Sequence, residues 1–161
     1  YTTLFRSVRY DRDSRFGGTF GVTVDLARGT ATDGFGNTDT LLNIERVRGS
    51  NEDDVLRDDR GDNRLRGLDG NDTLLASQGD DELEGGYGAD VFQFEGKNFG
   101  NDVIWDFELG TDLIEITSAR RFQQLDIEDD GNGNALISFA GETIRVDNIS
   151  ADDLSKDDFL F

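Results

Sequence analysis

Residues 49–93 divide into five nines: GSNEDDVLR (49–57), DDRGDNRLR (58–66), GLDGNDTLL (67–75), ASQGDDELE (76–84) and GGYGADVFQ (85–93). The eighth position is always apolar: Leu56, Leu65, Leu74, Leu83 and Phe92. The sixth is Asp or Asn: Asp54, Asn63, Asp72, Asp81 and Asp90. The fourth is Glu52, then Gly61, Gly70, Gly79 and Gly88, and one step backward the apolar series reaches Val47. A nine-residue period fits neither a continuous amphipathic helix nor a leucine-rich repeat. It fits a short strand alternating with a tight turn. Positions 7 to 9 form the strand, with 8 pointing inward and 7 and 9 outward. Positions 1 to 6 form the turn, where glycine reaches positive φ cheaply. Two nines make one coil of a flattened solenoid with two sheets, so residues 18 apart stack in parallel. Asp54, Asp72 and Asp90 then line one edge, and Asn63 and Asp81 line the other.

The composition narrows the chemistry. The chain has 161 residues, enough for one ordinary domain, and a net charge of −19. It has no Cys, His, Met or Pro. Disulfides, thiol nucleophiles, zinc sites on Cys or His and imidazole bases are therefore excluded. No apolar run approaches the roughly 20 residues of a membrane-spanning helix. The charge disfavours nucleic acid and acidic membranes as partners. High charge with 35% hydrophobic residues also fits an acidic linker. Twelve Phe, one Trp and the regular apolar position speak against it. The chain begins at Tyr1 rather than Met and reads as a piece of a longer protein.

Carboxylates stacked about one strand spacing apart repel each other, and partial burial adds a desolvation cost. A hard cation removes both problems. Ca²⁺ takes 6–8 oxygens from carboxylates and carbonyls, and glycine-rich turns expose carbonyls readily. The bridged pairs expected are Asp54 with Asp72, Asp72 with Asp90, and Asn63 with Asp81. One buried side chain in nine residues cannot offset the entropy of ordering them, so cation binding and folding should be coupled.

The stretch Gly49–Gln93 resembles the RTX (repeats-in-toxin) family, the hemolysin-type calcium-binding β-roll, and GLDGNDTLL and GGYGADVFQ fit its GGxGxDxUx consensus best. Nonapeptide repeats of this kind are a recognised calcium-binding signature. The lead-in VTVDLARGTATDGFGNTDTLLNIERVRGS (22–50), the stretch NDVIWDFELGTDLIEI (101–116) and the terminal DDFLF (157–161) resemble the flanks of such repeats in exported bacterial proteins. The resemblance implies a module unfolded at low calcium that folds outside a Gram-negative cell, secreted or at the cell surface, after passing a type I secretion machinery. The repeat count and the 6–8 oxygens that each ion takes give about three to five Ca²⁺ ions. The ligands would be Asp54, Asn63, Asp72, Asp81, Asp90, Asp102 and Asp112, with carbonyls near Gly49, Gly67, Asp69, Gly85 and Tyr87. Four departures stand out. Glu52 replaces a turn glycine, Asp58 and Asp59 replace a glycine pair, Ala76 and Ser77 replace another, and Asn63 replaces an aspartate. The edge of Asn63 and Asp81 should bind less tightly than that of Asp72 and Asp90.

The expected fold is all-β: a parallel β-roll over 40–116, an N-terminal lead-in over 1–39 and a β-rich cap over 117–161. In the lead-in, Phe20, Val22, Val24 and Leu26 alternate like a strand, and Leu41, Leu42, Ile44 and Val47 run into the first coil. Leu4, Phe5, Val8 and Tyr10 are scattered through a polar start. Gly100, Asp102, Ile104 and Gly110, Asp112, Ile114 keep the 4-6-8 pattern at a slipped interval, so Asp102 could serve with Asp81. Phe94, Trp105, Phe107, Leu109 and Phe122 should form a core at this end. Residues 120–147 read as a hairpin around DDGNGN (129–134), and Ile137 in the twelfth loop position rules out an EF-hand. Ser150 or Asp152 should cap a short helical turn. Leu154, Phe159, Leu160 and Phe161 should close the open end.

No nucleophile elbow or phosphate loop appears, and the acids follow the nine-residue period, so the fragment is read as non-catalytic. An upstream domain could be an enzyme. Arginine outnumbers lysine 14 to 2. Arg46, Arg48, Arg64 and Arg66 fall at outward positions of stacked coils, and arginine forks suit carboxylates and sulfates. Such a patch could touch an acidic polysaccharide and assist an upstream enzyme such as an alginate epimerase. The competing reading is charge balance against Asp58, Asp59, Asp62 and Glu82. A spacer or adhesin segment of a surface protein is a further alternative.

Overall fold

The computed structural model describes residues 6–161. The strands, in chain order, are β1 (Ser7–Arg9), β2 (Thr23–Asp25), β3 (Thr30–Thr32), β4 (Thr38–Thr40), β5 (Arg46–Arg48), β6 (Val55–Arg57), β7 (Arg64–Asp69) and β8 (Thr73–Ala76). They continue as β9 (Glu82–Tyr87), β10 (Val91–Phe94), β11 (Asn101–Ile104), β12 (Leu113–Ile116), β13 (Asp126–Asp129), β14 (Ala135–Phe139), β15 (Glu142–Val146) and β16 (Phe159–Leu160). Through the repeats they alternate between two sheets. One runs β1-β5-β7-β9-β11-β15-β14-β13, the other β16-β12-β10-β8-β6-β2-β3-β4.

The register is that of an 18-residue coil. Val47 pairs with Leu65 and Leu65 with Leu83 in one sheet, while Leu56 pairs with Leu74 and Leu74 with Phe92 in the other, all parallel. These inward residues are buried, because alternation along each strand turns every eighth position of the repeat to the interior. The step then lengthens: Leu83 pairs with Ile104, and Phe92 with Ile114. The longer connection 95–100 carries Phe99 back into the core, 5.5 Å from Phe94 between ring centroids.

The lead-in belongs to the stack. Val8 pairs in parallel with Val47, and Val24 with Leu56, so β1 and β2 form a coil above the first nine. The alternating strand read from the sequence is β2, which pairs with β3 as an antiparallel hairpin that β4 extends. Val22, Val24 and Leu26 are buried, but Phe20 is 67% exposed and Leu42 is 72% exposed. Phe20 precedes β2 and its backbone N–H donates to Gly34, so it never enters the alternating strand. The expectations on Leu4 and Phe5 lie outside the described residues.

Three C-terminal expectations are corrected. Residues 126–146 are a three-stranded meander and not one hairpin: β13 and β14 pair around 129–134, and β15 then joins β11 in parallel. Trp105 is 40% exposed and Leu109 also faces outward, while Phe94 and Phe107 are buried as expected. Trp105 follows β11 at an outward position, where the Arg145 guanidinium lies 5.8 Å from its ring. Of the closing residues, Leu154 and Phe159 are buried, but Phe161 is half exposed and Leu160 partly so. Ser150 caps a short 3-10 turn, and Ser155 forms a capping box with Asp158 before β16 joins β12.

Gly88 shows how tightly coils stack at the turns. Its φ is +138°, and a Cβ there would fall inside contact distance of the Gly70 carbonyl one coil away. Gly36, with φ +83°, has open space around it. Gly88→Ala should therefore cost roughly 2–4 kcal/mol, from backbone strain plus overpacking. Gly36→Ala should cost about 1 kcal/mol from strain alone. Denaturant unfolding of both variants at saturating calcium checks the difference; equal losses would refute the stacking argument.

Candidate metal centre

Two ladders of carboxylates run down the edges of the roll. In each, one carboxylate oxygen accepts the backbone N–H of the residue one coil before. On the first edge the rungs are Val22 to Asp54 (2.7 Å), Asp54 to Asp72 (2.8 Å), Asp72 to Asp90 (2.8 Å) and Asp90 to Asp112 (3.0 Å). On the second edge they are Asn63 to Asp81 and Asp81 to Asp102, both 2.8 Å. Each donor is a turn N–H facing the next coil, so an aspartate at position 6 is the residue that reaches it. All seven side chains named from the sequence lie on these ladders, and all are buried.

The second oxygen separates the rungs. In Asp72, Asp90, Asp81 and Asp102 the Oδ2 atom is buried with no hydrogen-bond partner among the described residues, and so is Oδ1 of Asn63. Asp54 differs, because Ser50 donates its N–H to Oδ2 at 2.6 Å and its hydroxyl to Oδ1 at 2.7 Å. Asp112 differs too, since its Oδ2 accepts the Glu108 N–H at 2.8 Å. Ser50 also accepts from the Glu52 N–H, and Glu52 avoids the left-handed backbone that Gly70 and Gly88 adopt below it. The Glu52 departure is thus accommodated by a serine that sequence reasoning passed over.

The orphaned oxygens face built slots. A Cβ on Gly67 would collide with Asp72 Oδ2 and lie 2.6 Å from the Gly85 carbonyl oxygen. A Cβ on Gly85 would collide with Asp90 Oδ2. Position 1 is therefore glycine on this edge because the carboxylate of the same turn takes that space, with a carbonyl oxygen opposite. The Tyr87 carbonyl accepts from the Gly70 N–H at 3.0 Å. Among the described residues no three acidic side chains converge as a ready cation cage. A carboxylate with neighbouring carbonyls is the donor set present, and it is one that hard Ca²⁺ accepts.

The electrostatics agree. Burial is the main cause that raises these carboxyl groups, and nearby carboxylates add to it while the rung hydrogen bonds oppose it. Asp72 and Asp102 are pushed up to about 8 and Asp90 to about 6. Asp54, Asp81 and Asp112 are raised as well. Sequence reasoning also missed Asp106, whose carboxylate accepts the N–H groups of Gly85 and Gly86 at 2.9 and 3.0 Å. It missed Asp58 as well: the side chain is buried, accepting from the Ser77 N–H (2.6 Å) and hydroxyl (2.8 Å).

The arginine patch forms as the register requires. Arg46 pairs with Arg64 and Arg48 with Arg66, and Arg9 joins beside Arg48. Together these side chains line a shallow recess of about 240 Å³. Of the expected counter-charges Glu82 is in place, and Glu84 and Asp11 join it. Arg64 pairs with Glu82 (3.2 Å) and Glu84 (3.6 Å), Arg66 with Glu84 (3.0 Å), and Arg9 and Arg48 with Asp11 (2.7 and 3.6 Å). Asp58 is turned inward and takes no part.

The raised carboxyls fix the sign of a pH effect. Asp72, Asp90 and Asp102 hold protons in the fold at pH values where the unfolded chain, near the ordinary 3.8, has released them. The calcium-free fold therefore loses stability as pH rises from about 4 to about 8. In chelator, the denaturant midpoint should be higher at pH 5 than at pH 8, and saturating calcium should abolish or invert that order. A calcium-free fold more stable at pH 8 would contradict the buried-ladder account.

Comparison with known proteins places this geometry. Residues 48–83 and 67–94 match the family model described as RTX calcium-binding nonapeptide repeat (4 copies). No curated protein matches the chain. Among solved structures, the chain is similar to the AlgE6R3 subunit of the Azotobacter vinelandii mannuronan C5-epimerase, at 24% identity and a TM-score of 0.47, over 69% of this chain and 79% of that one. It is also similar to the extracellular lipase LipA of Serratia marcescens, at 23% identity and a TM-score of 0.42, over 76% of this chain and 22% of the lipase. Residues 48–94, less than a third of the chain, thus carry repeats of the RTX calcium-binding nonapeptide type.

Proposed function

We propose that this chain is a non-catalytic module whose folding is driven by calcium entering the two aspartate ladders. The observation that carries the reading is the set of buried, unpartnered Oδ2 atoms on Asp72, Asp90, Asp81 and Asp102. Leaving such atoms unsatisfied is costly, and a bound cation satisfies them while cancelling the repulsion between rungs. Three to five ions suit the number of stacked rungs, with carbonyls completing each coordination shell. A calcium-dependent fold of this kind suits export in an unfolded state, through a type I machine, into a calcium-rich exterior where the module stabilises a larger secreted or surface protein.

Far-UV circular dichroism during a calcium titration, repeated with magnesium, tests the reading. A cooperative, calcium-selective gain of β signal is expected. Asp72→Asn and Asp90→Asn should each raise the calcium midpoint about tenfold or more, equivalent to about 1.4 kcal/mol. Asp54→Asn, at a rung already satisfied by Ser50, should raise it less. A chain fully folded in chelator and indifferent to calcium would overturn the proposal.

A second reading is favoured by the recess of five arginines. Adjacent strands lie about 4.8 Å apart, so these side chains stand in a row on the outer face, with Asp11, Glu82 and Glu84 paired to Arg9, Arg48, Arg64 and Arg66. An acidic polysaccharide laid across the outer face of this sheet would find carboxylate-binding forks in a row. Replacing Arg46, Arg48, Arg64 and Arg66 by Ala should then reduce binding to an alginate-like polymer at least tenfold while leaving the calcium midpoint within twofold. Unchanged polymer affinity in a folded variant would remove this reading and leave the calcium one standing.

A further inference from the structure

The second edge carries a carboxylate that the repeat pattern does not contain. Asp58 stands at position 1 of its nine, where the first edge has Gly49, Gly67 and Gly85. It continues β6 one residue past Arg57, so its side chain turns inward like that of Leu56, and it is 1% exposed. Its neighbour Arg57 points outward to Glu95 and gives it no counter-charge. The Asp58 and Asp81 carboxyl groups lie within hydrogen-bonding reach of each other, with Asp102 next in the column. Beside them, the Asn63 amide is fixed by its NH₂ group, which donates to Asp59 Oδ1 at 2.9 Å and to the Gly61 carbonyl. Its Oδ1 is left buried without a partner, as is Oδ2 of Asp81.

The two acids therefore meet in the interior with Ser77 donating to Asp58, while Asn63 is bonded to Asp81 through its backbone N–H, and Asn63 Oδ1 and Asp81 Oδ2 are left unpartnered. Serine donors satisfy part of one carboxylate and leave the charges of the other uncompensated. We propose that the Asp58 carboxylate is itself a ligand, together with Asp81 and Asn63 Oδ1, of a calcium ion held at the second edge. The strict repeat would place glycine at 58 and aspartate at 63. This chain places aspartate at 58 and asparagine at 63, so the negative charge is moved five residues within one turn and not lost. The second edge is then no weaker in charge than the first, contrary to the expectation from Asn63 alone.

The inference rests on the calcium reading of the ladders, and its test separates the two. Calcium bound per chain and its affinity are measured by titration calorimetry on the whole chain. Asp58→Gly and Asp58→Asn should each lose one ion, or weaken one site at least tenfold. Asp58→Asn removes the charge and keeps one acceptor oxygen for Ser77, its NH₂ replacing the second carboxylate oxygen. Adding Asn63→Asp to Asp58→Gly restores the strict pattern and should return the lost site. An unchanged ion count and affinity in both single variants would overturn the proposal. Should Asp58→Gly fail to fold, the double variant decides: a regained fold and ion count supports the ligand role, and continued unfolding refutes it. A wild-type chain that binds no calcium would instead sink the calcium reading itself.

Discussion

The structure depends on one recurring bond, from the backbone N–H of a turn residue to an aspartate oxygen one coil later. The turns of a solenoid leave N–H groups that no strand satisfies, because the strands are only two to six residues long. A buried N–H without an acceptor is costly. Position 6 supplies the acceptor from the neighbouring coil, so the same side chain that satisfies a turn also sets the stacking distance between turns. Its second oxygen is the consequence. On the first edge it cannot also reach water, being held against the glycine of its own turn in a space that excludes a Cβ. The need for a cation thus follows from how the backbone is satisfied.

The ladders end where that logic ends. Above Asp54 the stacked residue is Val22, which contributes an N–H but no carboxylate. Below Asp102 the partner in register is Ile144, buried and apolar. Ser50 and the Glu108 N–H close the outermost rungs of the first edge, so on that edge the unpartnered oxygens belong to the two inner rungs, Asp72 and Asp90. Hairpin and meander then take over the sheets, antiparallel where the core was parallel. An all-parallel solenoid cannot stop without exposing an edge. Here β3 and β4 flank one end, while β13, β14 and β16 flank the other.

Much of this was legible in the nines. Period, inward position, coil length and the identity of the rungs all follow from side-chain alternation and the recurrence of Asp or Asn at position 6. Asp102 under Asp81 was readable too, because the 4-6-8 spacing survives the longer connection. What escaped the sequence were positions whose direction is set by a neighbour outside the period. Phe20 looks like the first of an alternating series, yet the strand starts at Thr23. Trp105 counts as core by composition but continues the outward side of β11. Ser50 differs from a turn glycine by a hydroxymethyl group, and its value lies in reaching both Asp54 and the Glu52 N–H. Asp58 looks like surface charge in a hydrophilic run, and only the register with β8 shows that it turns inward.

The two edges also explain why charge and core cannot be considered apart. On the first edge, glycine at position 1 leaves the interior column to the carboxylate of the same turn. On the second edge, Asp58, Ala76, Phe94 and Ile116 occupy that column, and it becomes progressively apolar toward the C-terminal cap. The hydrophobic core is therefore thick where aromatic rings meet, Phe92 on Phe107 and Phe94 on Phe99, and thin beside Asp58. Apolar burial is proportional to the area removed from water, so the thin half must draw its stability from another source. The buried carboxylates lie in both halves, but only the cap half has aromatic packing to hold them in place without an ion. Ordering driven by calcium should accordingly spread from the C-terminal cap toward the N-terminal coils.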